Sequence, residues 1–222
     1  MMPLPARLRI LLLAALLALT AAAPAAFPAP PAGREEALAW LEESQTERRA
    51  EAVTWIANHG AAGDADLLHK RLLDESPFVR SFAEQGLWLL WSRSGDPAID
   101  RLMARGVEEM QAGQHRKSIA TFTEVIRRRP DFAEAWNKRA TVHYLAGEHR
   151  RSIADCDEVI KRNPRHFGAL AGYGQIWYAL ADYQKALDAW RRALEVNPNM
   201  LGVEINIKGV EEILRARRGQ ST

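Results

Sequence analysis

The chain is predicted to fold as an all-α superhelix, a solenoid of stacked two-helix units, and three observations predict it. Pro130, Pro164 and Pro198 are spaced 34 residues apart, a period that suits one helical hairpin with its turns. Between them the sequence repeats in register, with small residues at Gly106, Ala140 and Gly174 and a second matched slot at Phe122, Cys156 and Trp190. Apolar residues also recur at helical spacing before and after the repeats, from Leu38 to Leu214. A unit of this kind cannot bury its apolar face alone, so each depends on its neighbours.

The amino terminus differs from the rest. Arg7 and Arg9 precede a run from Ile10 to Ala23 without charge or proline, and Ala23-Pro24-Ala25 supplies small residues at a cleavage position. This is the layout of a secretory signal peptide over residues 1–25, cut after Ala25. As a helix the apolar run would rise about 21 Å, short of the roughly 30 Å needed to span a bilayer. Export to the bacterial periplasm, or secretion, is the expectation, with no stable membrane insertion after cleavage. The alternative is an uncleaved helix anchoring an envelope assembly factor in the inner membrane. The two arginines are not adjacent, so a twin-arginine signal is not supported, and no cysteine lies near the cleavage region to take a lipid.

Removing the signal removes the whole formal charge of +2, because Arg7 and Arg9 account for it. A neutral chain gives no reason to expect a nucleic-acid partner. Clusters such as Arg127-Arg128-Arg129 fall in the last turns of predicted helices, where cations complement the helix dipole. The single cysteine rules out an internal disulfide.

Residues 26–34 hold closely spaced prolines and read as an extended tether. Residues 35–97 read as helices carried by Leu38 and Leu41, by Val53, Ile56 and Ala57, by Leu67, Leu68, Leu72 and Leu73, and by Phe78, Phe82, Leu87 and Trp91. Gly60 is placed to end the second of these, and Ser76-Pro77 to start the fourth. The stretch Leu72-Leu73-Asp74-Glu75-Ser76-Pro77-Phe78-Val79-Arg80 resembles the turn of a HEAT repeat.

Asp96-Pro97 repeats that start signal and opens the array. With the proline as position 32, repeats cover residues 99–132, 133–166 and 167–200. Trp136, Ala140, Gly174, Ala186, Trp190, Gly106 and Phe122 then fall on the small and aromatic positions of the tetratricopeptide pattern, and the chain resembles that family. Gly113 and Gly147 both fall at position 15, where glycine permits the turn between helices. Cys156 takes a core position, and residues 199–218 continue as an amphipathic capping helix.

The resemblance implies a non-catalytic scaffold that binds a protein or peptide in a concave groove lined by the first helix of each repeat. Carried onto this chain, the groove positions include Met103 and Met110 in the first repeat, Asn137, Thr141 and Tyr144 in the second, and Gln175 and Tyr178 in the third. Gly168 and Ala171 leave room beside them. Methionine and tyrosine suit adaptable contact, and the amides and hydroxyl suit a peptide backbone. The apolar patch of Met103, Val107 and Met110 has two readings, an open groove surface or a face packed against the preceding helices. In members that clamp a terminal carboxylate, lysine and asparagine stand where this chain has Met103, Val107 and Lys138, so chaperone tails are disfavoured. Arg105 is four residues before Glu109 and can pair with it, whereas Arg139 reaches either an acidic partner or water.

An enzyme remains a remote alternative. The chain has no H-E-x-x-H, no glycine-rich phosphate loop and no G-x-S-x-G, and the repeat register puts His115, His143 and His149 into packing positions. No catalytic, cofactor or metal-binding residues are assigned.

Overall fold

The computed structural model describes residues 28–219, so the signal-peptide reading and the start of the tether lie outside the described residues. The described chain is all-helical: α1 (Arg34–Trp40), α2 (Thr46–His59), α3 (Ala65–Arg71), α4 (Pro77–Ser92), α5 (Pro97–Gln111), α6 (His115–Arg128), α7 (Ala133–Leu145), α8 (His149–Arg162), α9 (Phe167–Ala179), α10 (Tyr183–Val196) and α11 (Leu201–Gly219). None of these helices is long and apolar enough to cross a membrane.

Helices α1–α4 form a block around Val53, Ile56, Leu68, Leu72, Val79 and Leu87. Its central turn is held by a buried ion pair: Arg49 donates to Asp74 from Nε at 2.9 Å and from Nη2 at 3.0 Å. Arg49 Nη1 also donates to the carbonyls of Glu43 and Ser44, both at 2.8 Å. Burial alone would raise the Asp74 pKa, but these bonds hold it below the ordinary value. Ser76 occupies the N-cap of α4 without a side-chain capping bond; its backbone N–H donates to Asp74 Oδ1 at 2.9 Å instead. Gly60 ends α2 at φ −71°, not in the left-handed region. Glycine is needed there for space, since a Cβ would stand 2.6 Å from the Ile56 carbonyl oxygen.

The array consists of the hairpins α5/α6, α7/α8 and α9/α10, each packed on the next. Where the helices of the first hairpin cross, a Cβ on Gly106 would come within 2.6 Å of the Phe122 ring. In the third hairpin a Cβ on Gly174 would come within 2.2 Å of Trp190. The first two repeats carry serine where the family pattern has alanine. Ser118 and Ser152 are buried there and donate to the carbonyls of Gly106 and Ala140, each at 2.7 Å. A hydroxyl that bonds the facing carbonyl costs little in that slot. Val203, Ile207, Val210 and Leu214 of α11 cover Leu187 and Trp190 at the open end of the array.

Block α1–α4 is not a linear extension of the solenoid. Its core takes in Phe167, and Val196 and Met200 pack against it. Asn199 Nδ2 donates to the Leu72 carbonyl at 2.8 Å, and Arg165 pairs with Asp66 at 2.9 Å. The chain therefore folds back so that α4 meets the third repeat.

The turns between paired helices use positive φ at Gly113 (68°) and Gly147 (75°), and the equivalent third-repeat residue is Ala181 at 59°. An alanine Cβ is strained in that region, whereas glycine is not. Ala181→Gly is expected to raise unfolding stability by about 1 kcal/mol, read as a higher denaturant midpoint with an unchanged slope. A lower midpoint would show that the turn does not carry this strain.

Candidate functional site

The candidate site lies where α7 and α9 run side by side. At the crossing of the second hairpin, Ala140 faces Cys156 in place of the glycine–aromatic pairs of its neighbours. The space left unfilled is a pocket of about 130 Å³. Ala140, Cys156 and Ile176 give it an apolar floor, and Asn137, Thr141, Tyr144 and Gln175 stand around it. Gly168 and Gly172 complete one wall.

The groove residues named from sequence divide into two groups. Asn137, Thr141, Tyr144 and Gln175 meet at this pocket. Gln175 Nε2 donates to Tyr144 Oη at 3.3 Å, and Thr141 Oγ1 donates to the Asn137 carbonyl at 3.0 Å. Tyr178 stands apart, 40% exposed, with its ring near Tyr183 and Trp190. Met103 is only 6% exposed and belongs to the core of Ile99, Phe122, Val125, Phe132 and Ala135, against which Met110 packs. Neither reading fits Met103. Met103 is sealed by its own hairpin and α7, while the N-terminal block packs further along the array.

The room expected at Gly168 is taken by α4. A Cβ on Gly168 would lie 2.2 Å from Trp88 Cη2. Trp88 also meets Phe167 edge-on at 5.3 Å, and Trp91 stacks on His166 at 4.3 Å. One end of the concave face is thus closed by two indoles from the same chain.

Beneath those rings is a buried polar cluster that sequence reading did not find. Glu134 Oε2 is 3.0 Å from His166 Nε2 and accepts from Asn137 Nδ2 at 3.0 Å. Lys138 Nζ lies 3.0 Å from Glu134 Oε1 and 5.7 Å from the Trp88 ring centre. His166 Nδ1 accepts from the Ala169 N–H at 3.1 Å, so its ring caps α9. That bond leaves Nε2 as the donor to Glu134. Burial opposes charge on Glu134, but His166 and Lys138 hold its pKa below the ordinary 4.5. The cluster positions Asn137 at the pocket rim. Its one sequence cue was a histidine just before a helix start.

Arg139 has a third outcome. It makes two bonds to Asp155, at 2.8 and 2.7 Å, a third to Thr123 at 2.9 Å, and lies over the Trp136 ring. Asp155 is 3.7 Å from His143 Nε2, whose Nδ1 is 2.6 Å from Glu148. These contacts brace α7 against α8 and, through Thr123, against α6. Arg105 pairs with Glu109 at 3.0 Å, and Glu109 accepts from Thr121 at 2.6 Å. Burial pushes the Cys156 thiol up to about 12, so it stays protonated and acts as a small apolar surface. Among the described residues no group of three or more His, Cys, Asp or Glu is placed to hold a metal.

Two outcomes follow from this geometry. Gly168→Ala drives a methyl into Trp88 and is expected to destabilise by about 1–3 kcal/mol in chemical unfolding; an unchanged midpoint would mean that α4 is not docked. Glu134, with its folded pKa lowered, gives stability that is complete above about pH 4.5 and lost as pH falls through the lowered value. The stability difference between wild type and Glu134→Gln should therefore narrow on acidification from about pH 7 to 3, and a constant difference would count against the ionised pair.

Tetratricopeptide-repeat family models match residues 103–159 and 167–200. A TPR repeat-containing protein of Rhizobium etli is 36% identical over 125 residues, which span 56% of this chain and 61% of that relative. The Sgt2 TPR domain from Aspergillus fumigatus superposes with a TM-score of 0.53 at 22% identity, covering 56% of this chain and 85% of that chain. The first TPR of Spaghetti (RPAP3) bound to HSP90 peptide SRMEEVD gives 0.51 at 19% identity, over 53% of this chain and 93% of that one. At these identities the structural likeness is one of fold. The matched stretches fall on the helices that carry the 34-residue period and the small-against-large crossings, and residues 103–159 and 167–200 are tetratricopeptide repeats.

Proposed function

We propose that this protein is a non-catalytic scaffold of the bacterial periplasm that binds a protein or peptide partner at the concave face of its second and third repeats. The observation that carries the reading is the pocket where Asn137, Thr141, Tyr144 and Gln175 converge, beside a stretch of groove that α4 already covers. An apolar floor with a few convergent polar groups is the usual make-up of a recognition site. Tetratricopeptide arrays are protein-interaction scaffolds, and one neighbour of the same fold holds an HSP90 peptide. That peptide class does not suit this chain. The positions that clamp its kind of carboxylate carry Met103, Val107 and Lys138, with Met103 in the core and Lys138 paired to Glu134. Export rests on Arg7, Arg9, the uncharged run from Ile10 to Ala23 and the small residues after it.

The test is a crosslinking capture from the cell envelope with wild type against a Tyr144→Ala/Gln175→Ala protein. Partner recovery is expected to fall about tenfold, equivalent to about 1.4 kcal/mol. Equal recovery at equal stability would remove the site. Amino-terminal sequencing of the exported protein should begin at Ala26, and a start at Met1 would favour the retained anchor.

A further inference from the structure

We infer that the pocket at the second crossing selects a single aliphatic side chain of an extended peptide, independently of any terminal carboxylate. This deepens the peptide-binding reading and rests on it. The first observation is positional. In the flanking repeats the slot equivalent to Cys156 is filled by Phe122 and Trp190, each pressed on a glycine. With Cys156 over Ala140, the aromatic volume is missing from the middle repeat alone, and a pocket of about 130 Å³ stands there. A dry cavity of about 150 Å³ accepts benzene, so this one suits a leucine- or methionine-sized group and excludes an indole.

The second observation is the polarity of the walls. Among the described residues no charged side chain lines the pocket. A carboxylate or ammonium placed there would lose its hydration without a partner, which disfavours both. The third concerns the rim. Asn137 and Gln175 each give one N–H, to Glu134 and to Tyr144, and no donor among the described residues reaches Asn137 Oδ1 or Gln175 Oε1. Neither oxygen is sealed from solvent. Two amide acceptors beside an apolar hole match the backbone N–H groups that flank a side chain in an extended peptide. Gly172 keeps the entrance wide, because a Cβ there would meet nothing within 4 Å.

The probe is N-acetyl-leucine N-methylamide, one aliphatic side chain between two peptide groups, titrated at millimolar concentration into the full chain and followed by amide NMR shifts. Saturable shifts are expected at Gly172, Cys156 and Ile176, with the tryptophan and aspartate analogues at least tenfold weaker. Cys156→Phe and Gly172→Val should each weaken the leucine probe at least tenfold. Gly172→Val enters open space, so it keeps the test valid if Cys156→Phe cannot pack over Ala140. Shifts mapping elsewhere, equal binding of the aspartate or tryptophan analogue, or no loss in Gly172→Val would overturn the inference. So would binding that appears only after residues 1–25 are removed, because the occupant would then be the chain's own amino terminus. Envelope capture that depends on Tyr144 and Gln175 but is unchanged in Gly172→Val would sink this inference and leave the scaffold reading standing. Leucine-probe binding at the pocket with capture independent of Tyr144 and Gln175 would do the reverse.

Discussion

The close crossing of the two helices in each repeat is the constraint on which the rest of this structure depends. Gly106 and Gly174 let the facing helix approach until Phe122 and Trp190 lie where a Cβ would be. Protein interiors pack near crystal density, so a residue change at such a crossing is felt throughout its neighbourhood. The tight crossings set the hairpin angles, and those angles let successive hairpins nest into one core. The middle crossing pairs Ala140 with Cys156, and a pocket of about 130 Å³ forms there.

A second layer of organisation comes from the N-terminal block. Trp88 and Trp91 lie over Gly168 and His166, so a face that an isolated array would leave open is partly closed by its own chain. This closure covers the groove at Gly168, beside the pocket between α7 and α9. It also buries Glu134 and His166, which survive burial only because each is the other's partner and Lys138 adds a further charge. Asn137, bonded to Glu134, is thereby held at the rim. Packing, buried charge and site geometry are one linked arrangement.

Several arginines of the described chain are spent on internal pairs. Arg139 is spent on Asp155 and Thr123, Arg49 on Asp74, and Arg105 on Glu109. What remains around the pocket is uncharged. A partner recognised there is selected by shape and backbone hydrogen bonds, with little long-range steering and little dependence on salt.

Much of this was legible in the sequence because helical repeats are built from local patterns. The proline period, the small positions and the turn glycines act within a few residues of themselves, so spacing located the hairpins, and the family resemblance laid on that register named Cys156 as core and four of the residues that meet at the pocket. The same register missed Ala181, whose positive φ is imposed by the repeat geometry and not by its own preference. It also placed Met103 on the groove, because a helix face shows which residues align but not which neighbour covers them. Only the tertiary structure decided that Trp88 fills the space over Gly168, that Glu134 and His166 pair beneath it, and that Asp155 holds Arg139. The first depends on how the helical block docks, the second joins α7 to the start of α9, and the third links the two helices of one hairpin. Periodicity carries no information on docking, because its energy lies in surfaces that meet only after the hairpins have formed.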